Sequence, residues 1–231
     1  MRFNLFEDFL ALVFPVTCAV CKRSLYAFED HLCRNCEASL PVTSYHLIPD
    51  SNDLKTKILG LAEVDNVMAY LKYSKKGMSQ ILLHQLKYKN KPGLGKVLGR
   101  LYGRILAETG YLQRWDGIIA VPLHLQKLRR RGYNQSECFA EGLAEALSIP
   151  HLHGLRRTAN TSTQTRKSRI QRWENVSDVF ELVDANIVNG RRILLVDDVM
   201  TTGATLAACA KVIHNANPEG IDLAVIAAGK A

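Results

Sequence analysis

Residues 192–205 decide the fold and read Arg-Ile-Leu-Leu-Val-Asp-Asp-Val-Met-Thr-Thr-Gly-Ala-Thr. The apolar run at 193–196 predicts a short buried strand, and a helical pattern at 204–215 follows it closely. Asp197 and Asp198 come at the carboxyl end of that strand, which is where open α/β sheets place their ligands. The stretch therefore predicts a strand, a ligand-binding loop and a helix in succession.

The loop after the two acids is rich in small residues that suit a phosphate. It consists of Val199, Met200, Thr201, Thr202, Gly203, Ala204 and Thr205. Small side chains let backbone N–H groups approach a phosphate at a helix N-terminus, and the threonine hydroxyls add donors. A carboxylate pair beside such a loop suits a sugar phosphate, because carboxylates accept hydrogen bonds from a ribose diol. The alternative is that the acids only end a strand and a threonine only caps the helix.

The chain around this stretch alternates between strand and helix patterns. Strands are predicted at 67–73, 117–121, 193–196 and 223–227, and helices at 79–86, 94–106, 136–147 and 204–215. Such alternation predicts an α/β fold in which helices flank a parallel sheet. We divide the chain into a small N-terminal module at residues 1–50 and a main domain at residues 51–231.

Four cysteines in the N-terminal module have the spacing of a metal site. Cys18, Cys21, Cys33 and Cys36 form two C-x2-C pairs with eleven residues between the pairs. Two such pairs supply four thiolates to a tetrahedral Zn²⁺, so we predict a zinc ribbon whose metal folds a segment too small to bury its own core. Two disulfides or an iron–sulfur cluster are the alternatives.

The net charge of +8 indicates an anionic ligand. The surplus of Lys and Arg lies between residues 51 and 175, and both flanks are acidic. A phosphorylated small molecule and nucleic acid are the candidates. Tyrosines lie among these cations, and bases could stack on their rings, which favours single-stranded DNA as a ligand. The alternative is a basic face that only contacts solvent. The candidate DNA contacts are Lys87, Lys89, Lys91, Arg129, Arg130 and Arg131, with Tyr70, Tyr73, Tyr88 and Tyr133 interleaved.

Composition and hydropathy favour a soluble, cytoplasmic protein. Hydrophobic residues make up 47% of the 231 residues, which is ordinary for a globular chain. No apolar run reaches the ~18–20 residues that span a bilayer. Glu7 and Asp8 interrupt the only candidate signal segment, so we expect neither export nor a membrane span.

Taken together, the motifs resemble those of the ComF family, whose members are competence-associated and have a type I phosphoribosyltransferase-like domain. Residues 197–205 resemble the 5-phosphoribosyl-1-pyrophosphate (PRPP) motif, and the four cysteines resemble the family's zinc motif. Three further blocks match, namely 87–89, 121–124 with 131–135, and 163–175. The resemblance covers nearly the whole chain.

The resemblance implies that PRPP, bound with Mg²⁺, is the ligand. Asp197 and Asp198 would hold the ribose hydroxyls, and Thr201 to Thr205 the 5′-phosphate, with Val199 and Met200 also counted among the PRPP-binding residues. The pyrophosphate loop would consist of Pro122, Leu123 and His124. Residues 156–175 would form a flexible loop that closes over PRPP, with Arg169 among its catalytic cations. His124 would either donate a proton or serve as an oriented structural histidine.

The same resemblance implies a role in DNA uptake during natural transformation. Single-stranded DNA and a DNA-uptake helicase would then be partners. Two alternatives stay open, namely an active phosphoribosyltransferase and a non-catalytic regulator that responds to PRPP. The sequence shows no base-reading signature, so it does not identify the acceptor.

Overall fold

The computed structural model describes residues 15–158 and 179–229. The strands are β1 (Asn66–Lys72), β2 (Gly117–Ala120), β3 (His151–Leu152), β4 (Leu155–Arg157), β5 (Phe180–Leu182), β6 (Arg192–Met200) and β7 (Gly220–Ala228). The α-helices are α1 (Arg34–Ala38), α2 (Asp53–Ile58), α3 (Met78–Tyr88), α4 (Pro92–Glu108), α5 (Leu125–Arg131), α6 (Gln135–Leu147) and α7 (Ala204–His214). Short 3₁₀ turns lie at Tyr45–Leu47 and Ala185–Ile187.

The central sheet has five parallel strands in the order β1, β7, β6, β2, β3. A separate antiparallel pair consists of β4 and β5. The predicted parallel sheet with flanking helices is confirmed. Of the helices above, α1, α2 and α5 were not predicted from the sequence, because they are only five to seven residues long and α5 in addition buries no residue.

Helices cover both faces of the sheet. Leu194 and Val196 of β6 pack in the buried cluster that includes α3, α4 and α6, whereas Ile193 and Leu195 pack in the cluster that includes α2 and α7. Successive side chains of a strand point to opposite faces, so a strand covered on both sides reads as an unbroken apolar run. This is why residues 193–196 show no alternation with polar residues.

Helices α4 and α6 approach each other closely. A Cβ atom at Gly142 of α6 would lie 2.0 Å from the carbonyl oxygen of Lys96 and 2.9 Å from the Cα of Gly99 on α4. Only glycine fits at such a backbone contact. The contact fixes α6 against α4, and the N-terminus of α6 carries residues of the candidate site.

The N-terminal cysteine module packs against the main sheet. Cys18, Leu32 and Cys33 share a buried cluster with Leu98 of α4 and Phe139 of α6. The backbone continues this contact, since the N–H of Thr43 donates to the carbonyl oxygen of Tyr70 in β1 at 2.9 Å. The boundary at residue 50 stays a prediction. No helix within residues 15–158 and 179–229 is long and apolar enough to cross a membrane.

Candidate functional site

Asp197 and Asp198 lie inside β6 at a step in the sheet. Strand β6 pairs with β2 only as far as Val196, whereas its pairing with β7 continues to Met200. The strand is therefore longer than predicted, because β7 supplies hydrogen-bond partners beyond the end of β2. Among the described residues, no strand pairs with β6 on the β2 side beyond Val196, so a ligand can approach the sheet at the two acids.

Asp197 has an unusually high pKa. Its Oδ1 accepts hydrogen bonds from the Ser136 hydroxyl and from the backbone N–H of Asp198, both at 2.8 Å. Burial, and after it the negative charge of Asp198, raise the pKa of Asp197 from 3.8 to about 7, against the opposing effect of these hydrogen bonds. Near neutral pH this carboxyl group therefore exchanges between its protonated and ionised forms.

Asp198 forms an ion pair with Lys87 of α3. The Lys87 Nζ lies 2.9 Å from Oδ2 and 3.1 Å from Oδ1 of Asp198, and both side chains are largely shielded from solvent. The pair joins residues that are far apart in the sequence. The sequence alone predicts Lys87 only as a nucleic-acid contact. That contact stays a prediction, while the structure places the ammonium group beside the paired acids.

The loop after the acids leads into the N-terminus of α7. Thr201 and Thr202 are exposed, while Gly203 is buried with a φ of +79°. A Cβ atom at Gly203 would lie 2.5 Å from Cδ1 of Ile58, so both the backbone angle and the space require glycine. The N–H groups in the first turn of α7 have no acceptor within the helix and carry the positive end of its dipole. The threonines and the helix end thus present donors to an anion.

The second candidate loop, at Pro122, Leu123 and His124, follows β2 directly. His124 begins α5, and its Nδ1 accepts the backbone N–H of Gln126 at 3.2 Å. A proton on the neutral ring therefore lies on Nε2, where it can be donated to a ligand. The capping bond shows a structural role for His124 and leaves the proton-donor role as a prediction.

Two residues at the start of α6 belong to the site and were missed from the sequence. The Asn134 amide donates to the carbonyl oxygen of Val121 at 2.9 Å, and its Oδ1 accepts the N–H of Ser136 at 3.1 Å. Asn134 thereby ties the end of β2 to the helix whose Ser136 contacts Asp197. Asn134 itself, inside the 131–135 block, was the available signal, since an Asn just before an amphipathic helix is a helix-start pattern.

The predicted loop at 156–175 is described only at its beginning. Arg169 lies outside the described residues. The guanidinium of Arg157 lies 5.2 Å from the ring centroid of Phe180, and its Nε has no hydrogen-bond partner in the described part of the chain. Burial lowers the pKa of Arg157, and the negative charge of Asp197 acts in the opposite direction. The Nε of Arg157 thus remains a donor without a partner among the described residues.

The four N-terminal cysteines form one cluster. Their Sγ atoms all lie within 4.8 Å of one another, and those of Cys21 and Cys33 are 3.7 Å apart. Four sulfurs at ~2.3 Å from a tetrahedral zinc are separated by about 3.8 Å, so the cluster fits the metal. The backbone N–H of Cys36 donates to Cys33 Sγ at 3.4 Å and is the largest cause that lowers the pKa of Cys33 to about 6. These four residues can hold a metal ion.

The predicted DNA contacts differ in their exposure. Lys89, Arg129 and Arg130 are exposed, and Lys91 and Arg131 are partly buried. Of the interleaved tyrosines, Tyr88 is 59% exposed, but Tyr70 is 2% exposed and stacks on Tyr102 at a centroid distance of 5.0 Å. The suggestion that Tyr70 stacks on bases was wrong, because β1 is covered by helices on that face.

A parallel sheet of this order, with paired acids and a threonine loop before a helix, defines a type I phosphoribosyltransferase-like domain. Residues 134–231 match the phosphoribosyl transferase domain family. A crystal structure of adenine phosphoribosyltransferase is similar, with a TM-score of 0.39 and 20% identity over 59% of this chain and 71% of that chain.

Relatives over most of the chain identify the family. "DNA utilization protein YhgH" of Escherichia coli O157:H7 is 32% identical over 85% of this chain and 83% of its own length. "Competence protein F" of Haemophilus influenzae is 35% identical over 62% of this chain and 65% of its own length. The chain belongs to the ComF family.

Proposed function

We propose that this protein binds PRPP at the paired acids of β6 and acts in DNA uptake. The observation that carries the proposal is the joint position of Asp197, Asp198 and the loop at 201–205, which places carboxylates and anion donors side by side. The names of the relatives, a competence protein and a DNA utilization protein, support the biological role.

In the proposed complex each part of the site meets the part of PRPP that it suits chemically. Asp197 and Asp198 accept hydrogen bonds from the ribose hydroxyls, and the loop before α7 holds the 5′-phosphate. The loop at 122–124 approaches the pyrophosphate, and Arg157 and Lys87 contribute positive charge. Carboxylate oxygens suit Mg²⁺, which would lie on the pyrophosphate beside the acids and offset the charge of that leaving group.

An active phosphoribosyltransferase is the alternative that this arrangement also supports. Transfer breaks the bond from C1 to the pyrophosphate oxygen, so positive charge develops on the ribose and negative charge on the leaving group. The acids near the ribose and the cations near the pyrophosphate favour that separation electrostatically. A covalent nucleophile is not required.

We also propose that the four-cysteine cluster holds a structural Zn²⁺. The cluster packs against α4, and backbone hydrogen bonds hold the chain around it, as in the bond from the N–H of Ala19 to the oxygen of His31 at 2.8 Å. A closed set of four thiolates leaves no position for a substrate, which is typical of structural sites.

Isothermal titration calorimetry tests the PRPP site. Wild-type protein is expected to bind PRPP in the presence of Mg²⁺, and Asp198→Ala should weaken binding by about 10- to 100-fold, since a hydrogen bond to a charged acceptor contributes ~1.5–3 kcal/mol. Glu63→Gln, which alters an exposed acid remote from β6, should bind like the wild type. Equal affinities for wild type and Asp198→Ala would refute the proposal that Asp198 binds the ribose hydroxyls.

Single-stranded DNA binding is a second candidate function, and a specific surface favours it. Exposed Tyr88 ends α3 beside exposed Lys89, and the guanidinium of Arg131 lies 5.6 Å from the ring centroid of Tyr88. Exposed aromatic rings with cations along a groove are typical of sequence-tolerant strand binding. A helicase partner belongs to the same proposed role.

A salt titration with an oligothymidylate tests the DNA surface. Replacing Lys89, Arg129 and Arg130 with Ala should flatten the slope of log affinity against log salt by about 2, since each neutralised phosphate contributes ~0.7 for a single strand. The matched control replaces three exposed cations elsewhere, namely Arg104, Arg191 and Lys211. A slope that the first variant leaves unchanged would exclude this surface.

A further inference from the structure

An exposed pair of aromatic rings lies on the surface of the N-terminal cysteine module. Tyr26 is 62% exposed and Phe28 is 67% exposed, and their rings stack at a centroid distance of 5.6 Å. The guanidinium of Arg23 lies 5.0 Å from the centroid of Tyr26, and that of Arg34 lies 4.8 Å from the centroid of Phe28. Exposed clusters of aromatic and arginine side chains are typical of interaction surfaces, because a partner that covers them removes a large apolar area from water.

A buried carboxylate holds this cluster in place. The side chain of Glu29 is 3% exposed and accepts the backbone N–H groups of Tyr26 and Arg34, both at 2.9 Å. It also accepts the guanidinium of Arg23 at 2.6 Å. A surface that is ordered before binding loses little conformational entropy when a partner docks. The two rings are therefore presented to solvent in a fixed geometry.

Phe28 also lines a cavity of about 300 Å³ between the module and α4. The other apolar residues that line it are Leu32, Val97 and Leu101. Its volume is at the lower limit of small-molecule pockets, so it admits one apolar side chain of a partner. Such a pocket beside exposed rings suits an anchor residue, since a few buried side chains supply most of the binding energy of an interface.

The charges around the cavity favour a partner that carries carboxylates. Two of the three acids that line it, Glu29 and Asp30, are already paired with arginines, and Glu37 is the third. Arg34 and Arg104 also line the cavity and are exposed, and neither forms an ion pair within residues 15–158 and 179–229. A guanidinium binds a carboxylate through two parallel hydrogen bonds. These two arginines can therefore each hold one carboxylate of a partner.

A nucleic acid fits this surface less well than a protein segment does. Each ring is stacked on the other and has a guanidinium over it, which leaves little ring face for a base. The charges of residues 15–43 also balance, since Lys22, Arg23 and Arg34 are matched by Glu29, Asp30 and Glu37. The module itself therefore lacks the surplus of positive charge that a phosphate backbone requires.

We propose that the surface formed by Tyr26, Phe28, Arg34 and Arg104, the Phe28 surface, docks an acidic segment of a protein partner. One apolar side chain of the partner enters the cavity beside Phe28, and carboxylates near it pair with Arg34 and Arg104. The Phe28 surface lies on the module and α4 and shares no residue with the proposed PRPP site. The inference therefore goes beyond the proposed function and does not depend on it.

Peptide display on the zinc-loaded, full-length protein tests the inference. A random library of short peptides should yield sequences in which Asp or Glu residues flank a Phe, a Leu or another large apolar residue. The best of these peptides is then labelled and its affinity measured by fluorescence anisotropy. Replacing its acids with Asn or Gln should weaken binding by about 10-fold or more, because the bonds to the arginines lose their charge.

Variants of the protein locate the binding. Phe28→Ser and Arg34→Gln should each weaken binding of the selected peptide by about 10-fold or more, because the anchor contact or a charged hydrogen bond is lost. Both side chains are exposed, so both variants should keep the zinc content and melting temperature of the wild type. Val183→Ser and Arg191→Gln are the matched controls, since they change an exposed apolar residue and an exposed arginine elsewhere and should bind like the wild type.

Other occupants of the Phe28 surface would give different results. An oligothymidylate whose binding Phe28→Ser abolishes would assign the surface to nucleic acid, and a dimer in sedimentation velocity that Phe28→Ser dissociates would assign it to a second copy. Tighter peptide binding after Glu7→Gln together with Asp8→Asn would assign it to the N-terminal segment of the same chain. Each of these results would overturn the inference, and so would selected peptides without acids or an affinity that Phe28→Ser leaves unchanged.

Discussion

Cys33→Ser is expected to abolish zinc binding and to lower the free energy of unfolding by at least ~4 kcal/mol. Cys33 is almost completely buried, begins α1 and receives the N–H of Cys36 on its Sγ. Without it, three thiolates would share the space with no fourth ligand, and residues 15–43 would lose the constraint that folds them. For a chain of this size such a loss lowers the melting temperature by roughly 8–16 °C.

Metal analysis and thermal unfolding together check this result. Wild-type protein should contain one zinc per chain, and a strong chelator should reproduce the destabilisation of Cys33→Ser. Cys138→Ala is the control, because Cys138 is a buried thiol of α6 outside the cluster. Iron in place of zinc, or a Cys33→Ser variant as stable as Cys138→Ala, would contradict the structural zinc.

Local patterns predict most of the sheet because its strands are covered on both faces. Residues 193–196 and 223–227 are apolar without interruption, and the structure shows both as buried strands. Helix α5 was missed, since its start depends on the side-chain cap at His124 rather than on an apolar stripe. Strand β3 was also missed, because a two-residue strand has no pattern of its own.

The site was predictable where it is contiguous and not where it is assembled across the chain. The acids and the threonine loop occupy nine consecutive residues, so their chemistry is visible in the sequence. Ser136 and Lys87 reach the acids only because α6 and α3 pack on one face of the sheet. Such contacts arise from topology, which no local pattern in the sequence reveals.

The raised pKa of Asp197 makes the stability of the fold depend on pH, at a residue that is also proposed to bind the ligand. In the unfolded chain its pKa is near 3.8, and in the folded protein it is about 7. Between these values the folded state binds more protons, so the contribution of Asp197 to stability falls as pH rises from about 4 to about 7 and stays unfavourable above that. The protein retains a group that destabilises it, which is expected of a residue kept for binding.

Asp197→Asn is therefore expected to raise stability and to reduce PRPP binding in the same protein. The amide oxygen can still accept from Ser136 and from the Asp198 N–H but cannot ionise, so the variant should exceed the wild type by ~1–3 kcal/mol at pH 8 and by much less at pH 5. Affinity for PRPP with Mg²⁺ should fall by at least about 10-fold, because a charged acceptor of the ribose hydroxyls is lost.

Denaturant unfolding at both pH values measures the change in stability, and calorimetry measures the change in PRPP affinity. Glu63→Gln is the control, since this exposed acid is remote from β6 and its removal should not change stability differently at the two pH values. A stability difference for Asp197→Asn that is equal at pH 5 and pH 8 would show that its charge is not what destabilises the fold.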